Sequence, residues 1–228
     1  MAETNDQIEQ WAQLPDDQWV AVHAPRFAAV RPGYVDYEGF LKAVLKQACV
    51  KLAPLALVEA RAKGVASFAE KILRKRKTYI DPNDPQPKDP LVRMTDLCGG
   101  RVIAQTSDQV HAVCQFIEKA FDIDWPNSED VGNRLKPTEF GYRSVHYIVQ
   151  VNPDKLQAAG ITVPVPPTLL SPARLKAEVQ VRTVLEHAWA DIGHEMTYKT
   201  ELKVPARIHR QFAALAAVLE GAAREFGR

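Results

Sequence analysis

The stretch from Lys176 to Thr183 (Lys-Ala-Glu-Val-Gln-Val-Arg-Thr) places a carboxylate, an amide and a guanidinium at the two-residue spacing of a β-strand. Side chains alternate across a strand, so Glu178, Gln180 and Arg182 share one face while apolar side chains share the other. Taken alone, this alternation is typical of a half-buried strand whose outer face meets solvent. The same residue types would also bind a charged ligand.

A second stretch, Gly141 to Val149, carries a comparable set of polar side chains. Alternation places Tyr142, Ser144 and His146 on one side of the predicted strand. Together the two stretches bring a carboxylate, an amide, a guanidinium, an imidazole, a phenol and a hydroxyl to one sheet surface, and these are the groups that bind a charged ligand. The two strands therefore predict the floor of a binding site for a charged ligand.

A basic row lies earlier in the chain, where Ser67 followed by Glu70 has the spacing of a capping box. This spacing predicts a helix that starts at Ser67, with Lys71 and Arg74 on the same face. Cations at a helix N-terminus can hold an oligophosphate, because the free backbone N–H groups and the helix dipole add to their charge. A solvated basic face is the alternative, and no P-loop motif occurs in the sequence.

Asp96 stands just ahead of the predicted strand Gly99–Ala104. A carboxylate in a loop at this position can reach a metal ion, although capping a helix or turn is the simpler role for an isolated aspartate.

Composition is that of an ordinary globular protein. The 228 residues are 46% hydrophobic and 25% charged with a formal net charge of +1, so no global field draws the chain to nucleic acid or membrane. The three cysteines are odd in number and widely spaced, which fits a reducing compartment. No segment has the pattern of a signal peptide or a membrane span, so we expect a cytoplasmic protein with no membrane partner.

Periodicity places further elements around these residues. Residues 1–33 are expected to form a short helix and irregular cover, and residues 122–126 a short strand. The apolar spacing predicts helices at Tyr34 to about Ala60 (with a kink or break at Pro54), Ser107–Phe121, Thr183–Lys199 and Ala206–Phe226. Surface connections are predicted at residues 78–90, 127–140 and 152–175, and the polar one at 127–140 is long enough to be a lid or binding loop.

Four motifs follow one another in the chain: Arg61-x-Lys63…Ser67…Lys71…Arg74, then Asp96-Leu-Cys-Gly-Gly-Arg101-Val102, then Gly141-Tyr142-Arg143-Ser144-Val145-His146, then Glu178-Val179-Gln180-Val181-Arg182-Thr183. In order and spacing they resemble the synthetase region of the RelA/SpoT family, over about residues 40–200. The resemblance implies an α/β (α+β) fold, nucleotidyltransferase-like, with a mixed central β-sheet flanked by helices and extra N- and C-terminal helices. It implies a synthetase domain at residues 34–200, a cover segment at 1–33 and a C-terminal helix at 201–228.

The family moves pyrophosphate from ATP to a nucleotide 3′-hydroxyl, and the resemblance transfers roles to matching positions. Arg61 and Arg101 match the arginines that sandwich the adenine of ATP, a contact that suits a planar guanidinium. Asp96 and Glu178 match carboxylates associated with Mg²⁺, the expected cofactor, and Glu178 also matches the residue thought to activate the acceptor hydroxyl. The matches to the triphosphate contacts are Lys63, Ser67, Lys71 and Arg74.

On the acceptor side, Tyr142 matches the tyrosine that stacks on the acceptor base. Lys136 and His146 match positions near the acceptor's phosphates and ribose, and Gln180 and Arg182 are further acceptor-side matches. Phe140 departs from the asparagine that many relatives have there. The first 60 residues contain a single histidine, His23. We therefore expect no hydrolase domain of the kind that longer relatives carry, and synthesis is the only activity expected.

The acceptor stays open at this point. The first hypothesis is alarmone synthesis from GTP or GDP. The second is a toxic member of the family, which would pyrophosphorylate the 3′ end of tRNA or an adenine nucleotide and be held in check by an antitoxin; the third is a catalytically silent nucleotide-binding module. Family likeness also suggests a homo-oligomer formed through terminal helices.

Overall fold

The computed structural model describes residues 10–11, 13–81, 83, 89–130, 144–171, 174–198 and 206–226. Within these ranges, no helix combines the length and apolar character that crossing a membrane requires.

A long helix, α1 (Asp16–Leu52), contributes many buried side chains to the hydrophobic core. Its buried side chains recur at helical spacing, beginning with Trp19, His23 and Phe27, and form one stripe. The expectation of irregular cover up to residue 33 is wrong over residues 16–33, because Pro25 and Pro32 lie inside the helix on its exposed side. The break expected at Pro54 is confirmed, since the helix ends at Leu52.

Among the described residues, six strands form one mixed sheet in the order β1-β2-β6-β5-β3, with β4 paired to β5. The β2–β6 pair is parallel and the other pairs are antiparallel. The strands are β1 (Leu57–Ala62), β2 (Cys98–Ala104), β3 (Phe121–Ile123), β4 (Glu129–Asp130), β5 (Val145–Val151) and β6 (Lys176–Thr183). The predicted mixed sheet flanked by helices is therefore confirmed.

The remaining helices occupy the connections. The strand predicted at Gly141–Val149 corresponds to β5, which begins at Val145 within the described residues. Strand β1 was not predicted from periodicity. The bounds are α2 (Val65–Arg74), α3 (Arg76–Ile80), α4 (Pro90–Arg93), α5 (Ser107–Ala120), α6 (Pro153–Ala158), α7 (Val184–Tyr198) and α8 (Ala206–Phe226), with 3₁₀ turns at Trp125–Asn127 and Pro167–Leu170.

The predicted start of the basic helix is wrong by two residues. Helix α2 begins at Val65 after Gly64, and Ser67 makes no capping hydrogen bond. Ser67 instead lies in the first turn, where backbone N–H groups have no partner within the helix.

The two faces of the sheet differ in character because side chains alternate along each strand. On one face, Val102, Val179 and Val149 are fully buried and belong to the hydrophobic core that α1 and α5 complete. The other face carries Arg101, Glu178 and Gln180. We call the second surface the polar face.

Two adjacent glycines of β2 show how closely the core face is packed. A Cβ added to Gly100 would stand 2.9 Å from Leu41 Cδ2 and 3.1 Å from Leu45 Cδ1, so α1 approaches β2 more closely than a side chain would allow. A Cβ added to Gly99 would meet only the carbonyl oxygen of Glu178, at 3.9 Å. Gly100 therefore serves the packing of α1, and Gly99 keeps the polar face open.

Candidate active site

On the polar face, two rows of directly opposed residues run across the neighbouring strands β1, β2 and β6. Arg61 pairs with Gly99, which pairs with Glu178 on the next strand. Directly opposed residues of neighbouring strands point to the same side, so a bare backbone separates the guanidinium of Arg61 from the carboxylate of Glu178. In the adjacent row, Glu59 pairs with Arg101, which pairs with Gln180.

A cavity of about 460 Å³ lies over these rows. Its walls combine carboxylates, cations and an amide with the backbone of the two glycines. They are formed by Lys42, Glu59, Ala60, Arg61, Asp96, Gly99, Gly100, Arg101, Glu178 and Gln180.

Asp96 is held between two lysines at the edge of this cavity. One carboxylate oxygen, Oδ2, accepts a hydrogen bond from Lys71 Nζ at 2.6 Å and lies 3.1 Å from Lys63 Nζ. Burial opposes ionisation of Asp96, but the hydrogen bond and charge of Lys71, with Lys63 beside it, outweigh burial and hold the pKa of the carboxyl below its ordinary value. Asp96 is therefore an anion paired with two cations.

The lysines reach Asp96 because the chain around them is fixed. The backbone N–H of Lys63 donates to the carbonyl of Leu97, one residue after Asp96, at 2.9 Å. Arg31 of α1 donates from Nε to the Lys63 carbonyl at 3.0 Å. Lys71 extends from α2, and the buried side chains of Phe68 and Ile72 anchor that helix in the core.

Glu178 is held by two donors on the same oxygen. His146 Nδ1 lies 2.8 Å from Glu178 Oε1, and Gln180 Nε2 donates to that oxygen at 3.0 Å. Burial opposes ionisation of Glu178, but the hydrogen bonds from His146 and Gln180 outweigh it and keep the pKa of the carboxyl below its ordinary value. The side chain is 20% exposed, so a ligand in the cavity can reach it.

The carboxylate oxygens are suited to a magnesium ion. Asp96 Oδ1 is buried and makes no hydrogen bond with the described part of the chain, which leaves it available as a ligand. Asp96 and Glu178 line one cavity, yet no cluster of three or more acidic, histidine or cysteine ligands occurs in the described ranges. Mg²⁺ commonly takes one or two carboxylates together with substrate phosphates, so the donor set fits that ion.

The predicted adenine-binding arginines share the polar face. Arg61 is exposed, and Arg101 is partly buried with Nη1 3.7 Å from Glu59 Oε2. Because the register places them diagonally on neighbouring strands, their side chains lie within reach of one flat ligand.

Ser67 and Arg74 lie on helix α2 and are exposed, with Arg74 Nη1 3.4 Å from Glu70 Oε1.

Arg182 is placed differently from the other predicted site residues. Its side chain is 3% exposed and packs under α7, where Nη2 lies 2.7 Å from His187 Nδ1 and 3.7 Å from Asp191 Oδ1. Arg182 is not among the cavity-lining residues, and these contacts link β6 to α7.

The predictions for Tyr142 and Lys136 fall outside the described residues. The cavity also includes residues that the sequence analysis did not single out, among them Lys42 and Glu59. Glu59 could have been found, because it stands two residues before Arg61 and therefore shares its face once β1 is recognised as a strand.

The fold and the site together define an α/β protein with an acidic and basic ligand-binding cavity on the open face of a mixed sheet. The comparisons with known proteins agree with this class. The family described as the region found in RelA / SpoT proteins matches residues 60–203. The chain belongs to the RelA/SpoT family.

The GTP pyrophosphokinase YjbM of Bacillus subtilis (strain 168) is 27% identical over 195 residues, which are 86% of this chain and 80% of the relative. Solved structures establish the same fold. A GTP pyrophosphokinase family protein from Streptococcus pneumoniae has a TM-score of 0.64 and 23% identity, covering 89% of this chain and 91% of its own.

The small alarmone synthetase 1 of Bacillus subtilis bound to its product pppGpp has a TM-score of 0.64 and 22% identity, covering 89% of this chain and 95% of its own. The same synthetase bound to AMPCPP has a TM-score of 0.58 and 20% identity, covering 89% and 94%.

Proposed function

We propose that the chain transfers the β,γ-pyrophosphate of ATP to the 3′-hydroxyl of GTP or GDP and releases AMP, as a small alarmone synthetase. The relatives confirm the broader enzyme class, a pyrophosphokinase. The observation that carries the finer proposal is the convergence of Asp96, Glu178 and Arg101 on one cavity, with Lys63 and Lys71 bonded to Asp96.

The donor nucleotide would lie over β1 and β2. Arg61 and Arg101 would hold the adenine between guanidinium planes, and Gly99 leaves room for the ligand to approach the backbone. Lys63 and Lys71 would exchange Asp96 for phosphate oxygens, helped by the N-terminus of α2 near Ser67. The AMPCPP bound to the synthetase of Bacillus subtilis supports a nucleoside triphosphate analogue as a ligand of this fold.

Asp96 would hold a magnesium ion together with the substrate phosphates, and this ion would neutralise charge on their oxygens during transfer. The lysine and arginine side chains of the site would also neutralise this charge, because negative charge spreads over the phosphate oxygens in the transition state. The side chain of Lys63 is only 9% exposed, so its charge is less screened by water than that of a surface lysine.

The transfer step requires a base beside the acceptor. Glu178 takes the proton of the 3′-hydroxyl, the freed oxygen forms a bond to the β-phosphorus, and the bond from that phosphorus to the bridging oxygen of AMP breaks. The depressed pKa of Glu178 keeps the carboxylate deprotonated at neutral pH. The product pppGpp bound to the Bacillus subtilis synthetase supports a guanosine nucleotide as the acceptor.

The tRNA hypothesis would need a free basic track leading to the site. Within the run Arg74 to Lys77, Arg74 is paired with Glu70, and Arg76 contacts Asp16 and the Leu14 carbonyl. These pairings reduce the charge that two of the four basic residues in the run offer to a phosphate backbone.

The test is a product assay with magnesium and ATP labelled in the γ-phosphate, offered GDP, GTP, ATP and deacylated tRNA in parallel. Label in guanosine tetra- or pentaphosphate with unlabelled AMP released is the expected result. Label on tRNA or an adenine nucleotide would refute the acceptor, and no transfer with the nucleotide still bound would refute the enzymatic proposal.

The variant Glu178→Gln keeps the side chain's shape but cannot accept a proton at neutral pH. We expect transfer to fall by at least about 100-fold while an ATP analogue still binds. Asp108→Asn, at an exposed position in the first turn of α5, is the matched control and should leave turnover unchanged.

A further inference from the structure

Glu178 is held by residues of the sheet itself. Residues 146 and 180 face each other in the β5–β6 register, and Glu178 is two residues along the same strand face from Gln180. His146 and Gln180 both direct a nitrogen at Oε1 of Glu178, at 2.8 and 3.0 Å. The contacts are made by strand residues, which hold a side chain more exactly in place than loop residues do.

The strand that carries His146 is paired on both sides. Residue 146 faces Gln180 on β6 and Glu129 on β4. Ser144, 4% exposed, also donates from Oγ to the carbonyl of Val181 at 3.2 Å. The backbone under the imidazole is thus fixed to both neighbouring strands.

The two donors act on only one of the carboxylate oxygens. An ionised carboxylate only accepts hydrogen bonds, so the nitrogen facing it, Nδ1 of His146, carries a proton. No hydrogen bond from the described part of the chain reaches Oε2 of Glu178. One oxygen is clamped and the other is left for a ligand.

We propose that His146 and Gln180 are positioning residues, which hold Oε1 of Glu178 so that Oε2 receives the proton of the acceptor hydroxyl. This inference rests on the proposed function. It differs from the role that family resemblance suggested for both residues, which was contact with the acceptor nucleotide.

The two roles have different kinetic consequences. A residue that only positions the base lowers kcat when it is removed and leaves the KM for the acceptor unchanged, because the acceptor still binds. A residue that contacts the acceptor in both ground and transition states raises KM. Misplacement of a catalytic group by about 1 Å can cost about 100-fold in rate, so the expected loss is measurable.

The experiment compares His146→Ala, His146→Asn and Gln180→Ala in the full chain, with ATP saturating and GDP varied. Asparagine can place its amide nitrogen near the position of Nδ1, so it restores the donor to Glu178 but not the second ring nitrogen. We expect His146→Ala to lower kcat by about 10- to 100-fold with KM for GDP within about twofold. His146→Asn should recover a clear part of that loss, and Gln180→Ala should lower kcat alone.

His111→Ala, at an exposed position on α5, is the matched control and should behave as wild type. Thermal melting and binding of AMPCPP are measured for every variant, so that a folding defect is recognised. If His146→Ala fails to fold, His146→Asn and Gln180→Ala carry the test, because a positioning role requires lower kcat at constant KM from Gln180→Ala.

Several outcomes would overturn the proposal. A raised KM for GDP with unchanged kcat would make these residues acceptor ligands, and wild-type kcat in His146→Ala would remove any role. Failure of asparagine to improve on alanine would exclude the Nδ1 contact. Wild-type protein that transfers no pyrophosphate would refute the proposed function and the positioning role with it, whereas an active wild type separates the two.

Discussion

The adjacent glycines of β2 allow one prediction that separates the stability of the fold from the function of the cavity. Gly100 faces the core, where an added Cβ would stand 2.9 Å from Leu41 and 3.1 Å from Leu45. Gly99 faces the cavity, where the nearest atom to an added Cβ is 3.9 Å away. The same substitution at the two positions should therefore give opposite results.

For Gly100→Ala, overpacking of the core costs about 1–3 kcal/mol. The reduced freedom of the unfolded chain offsets about 0.4–1 kcal/mol of this. We expect the free energy of unfolding to fall by about 1–2 kcal/mol, since the fully buried Leu41 and Leu45 have little room to move. Gly99→Ala keeps only the favourable contribution and should be neutral or slightly stabilising.

Gly99→Val extends the test to the ligand. A β-branched residue is favoured in a strand, so stability should not fall, but its methyl groups would enter the cavity between Arg61 and Glu178. We expect the affinity for AMPCPP to fall more than tenfold, which is about 1.4 kcal/mol.

Stability is measured by urea unfolding, comparing midpoints at unchanged slope, and affinity by calorimetric titration of AMPCPP. Equal destabilisation at the two glycines would refute the assignment of the faces. Undiminished binding by Gly99→Val would show that the donor nucleotide does not lie over β2.

Further predictions concern the charged groups. Asp89→Ala removes the ion pair with Arg26, whose atoms are 2.8 Å apart and whose side chains are 9% (Asp89) and 25% (Arg26) exposed, and it removes the N-cap of α4. The free energy of unfolding, measured by urea denaturation, should therefore fall by about 2–4 kcal/mol. Burial, with the charge of Arg26, lowers the pKa of His23 from 6.5 to about 4. Between these pH values the unfolded chain therefore binds a proton that the folded chain does not. The free energy of unfolding should fall by up to about 3 kcal/mol as pH drops from 6.5 towards 4, and it should fall less in His23→Gln. Lys71→Met should weaken AMPCPP binding about tenfold in a titration while Lys63 continues to pair with Asp96.

Each of these has a matched control and a contrary outcome. Asp108→Asn tests whether any exposed carboxylate lowers the urea midpoint, and a loss equal to that of Asp89→Ala would contradict the buried pair. An unchanged pH dependence in His23→Gln, with His111→Ala as reference, would assign the acid sensitivity to carboxyl groups. Wild-type affinity in Lys71→Met would remove that lysine from the donor site.

Local patterns predicted some elements closely. Strand β6 (Lys176–Thr183) and helix α8 (Ala206–Phe226) have the predicted bounds, because alternation or apolar spacing runs through each without interruption. Helix α1 was not predicted before residue 34, where Pro25 and Pro32 lie within the segment. The spacing of Trp19, His23 and Phe27 contained the helical signal, and the prolines are tolerated on the exposed side.

The candidate site was predictable in its residue types but not in its contacts. The sequence indicated that Glu178 and His146 lie on strand faces, and the β5–β6 register then brought them within 2.8 Å. The pairing of Asp96 with Lys71 could not be predicted, since it depends on how α2 packs against the loop before β2. The cluster of Arg26 and Asp89 is likewise tertiary, with no local signal in either segment.

The order of strands has a consequence for how the activity arises during folding. Asp96 precedes β2 and Glu178 lies on β6, and these two strands are neighbours in the sheet although most of the chain's other strands are synthesised between them. A pairing between segments so distant in sequence forms late, because the loop must be closed before any contact offsets its entropy. The two carboxylates therefore come together late in folding, at the step in which β2 and β6 pair.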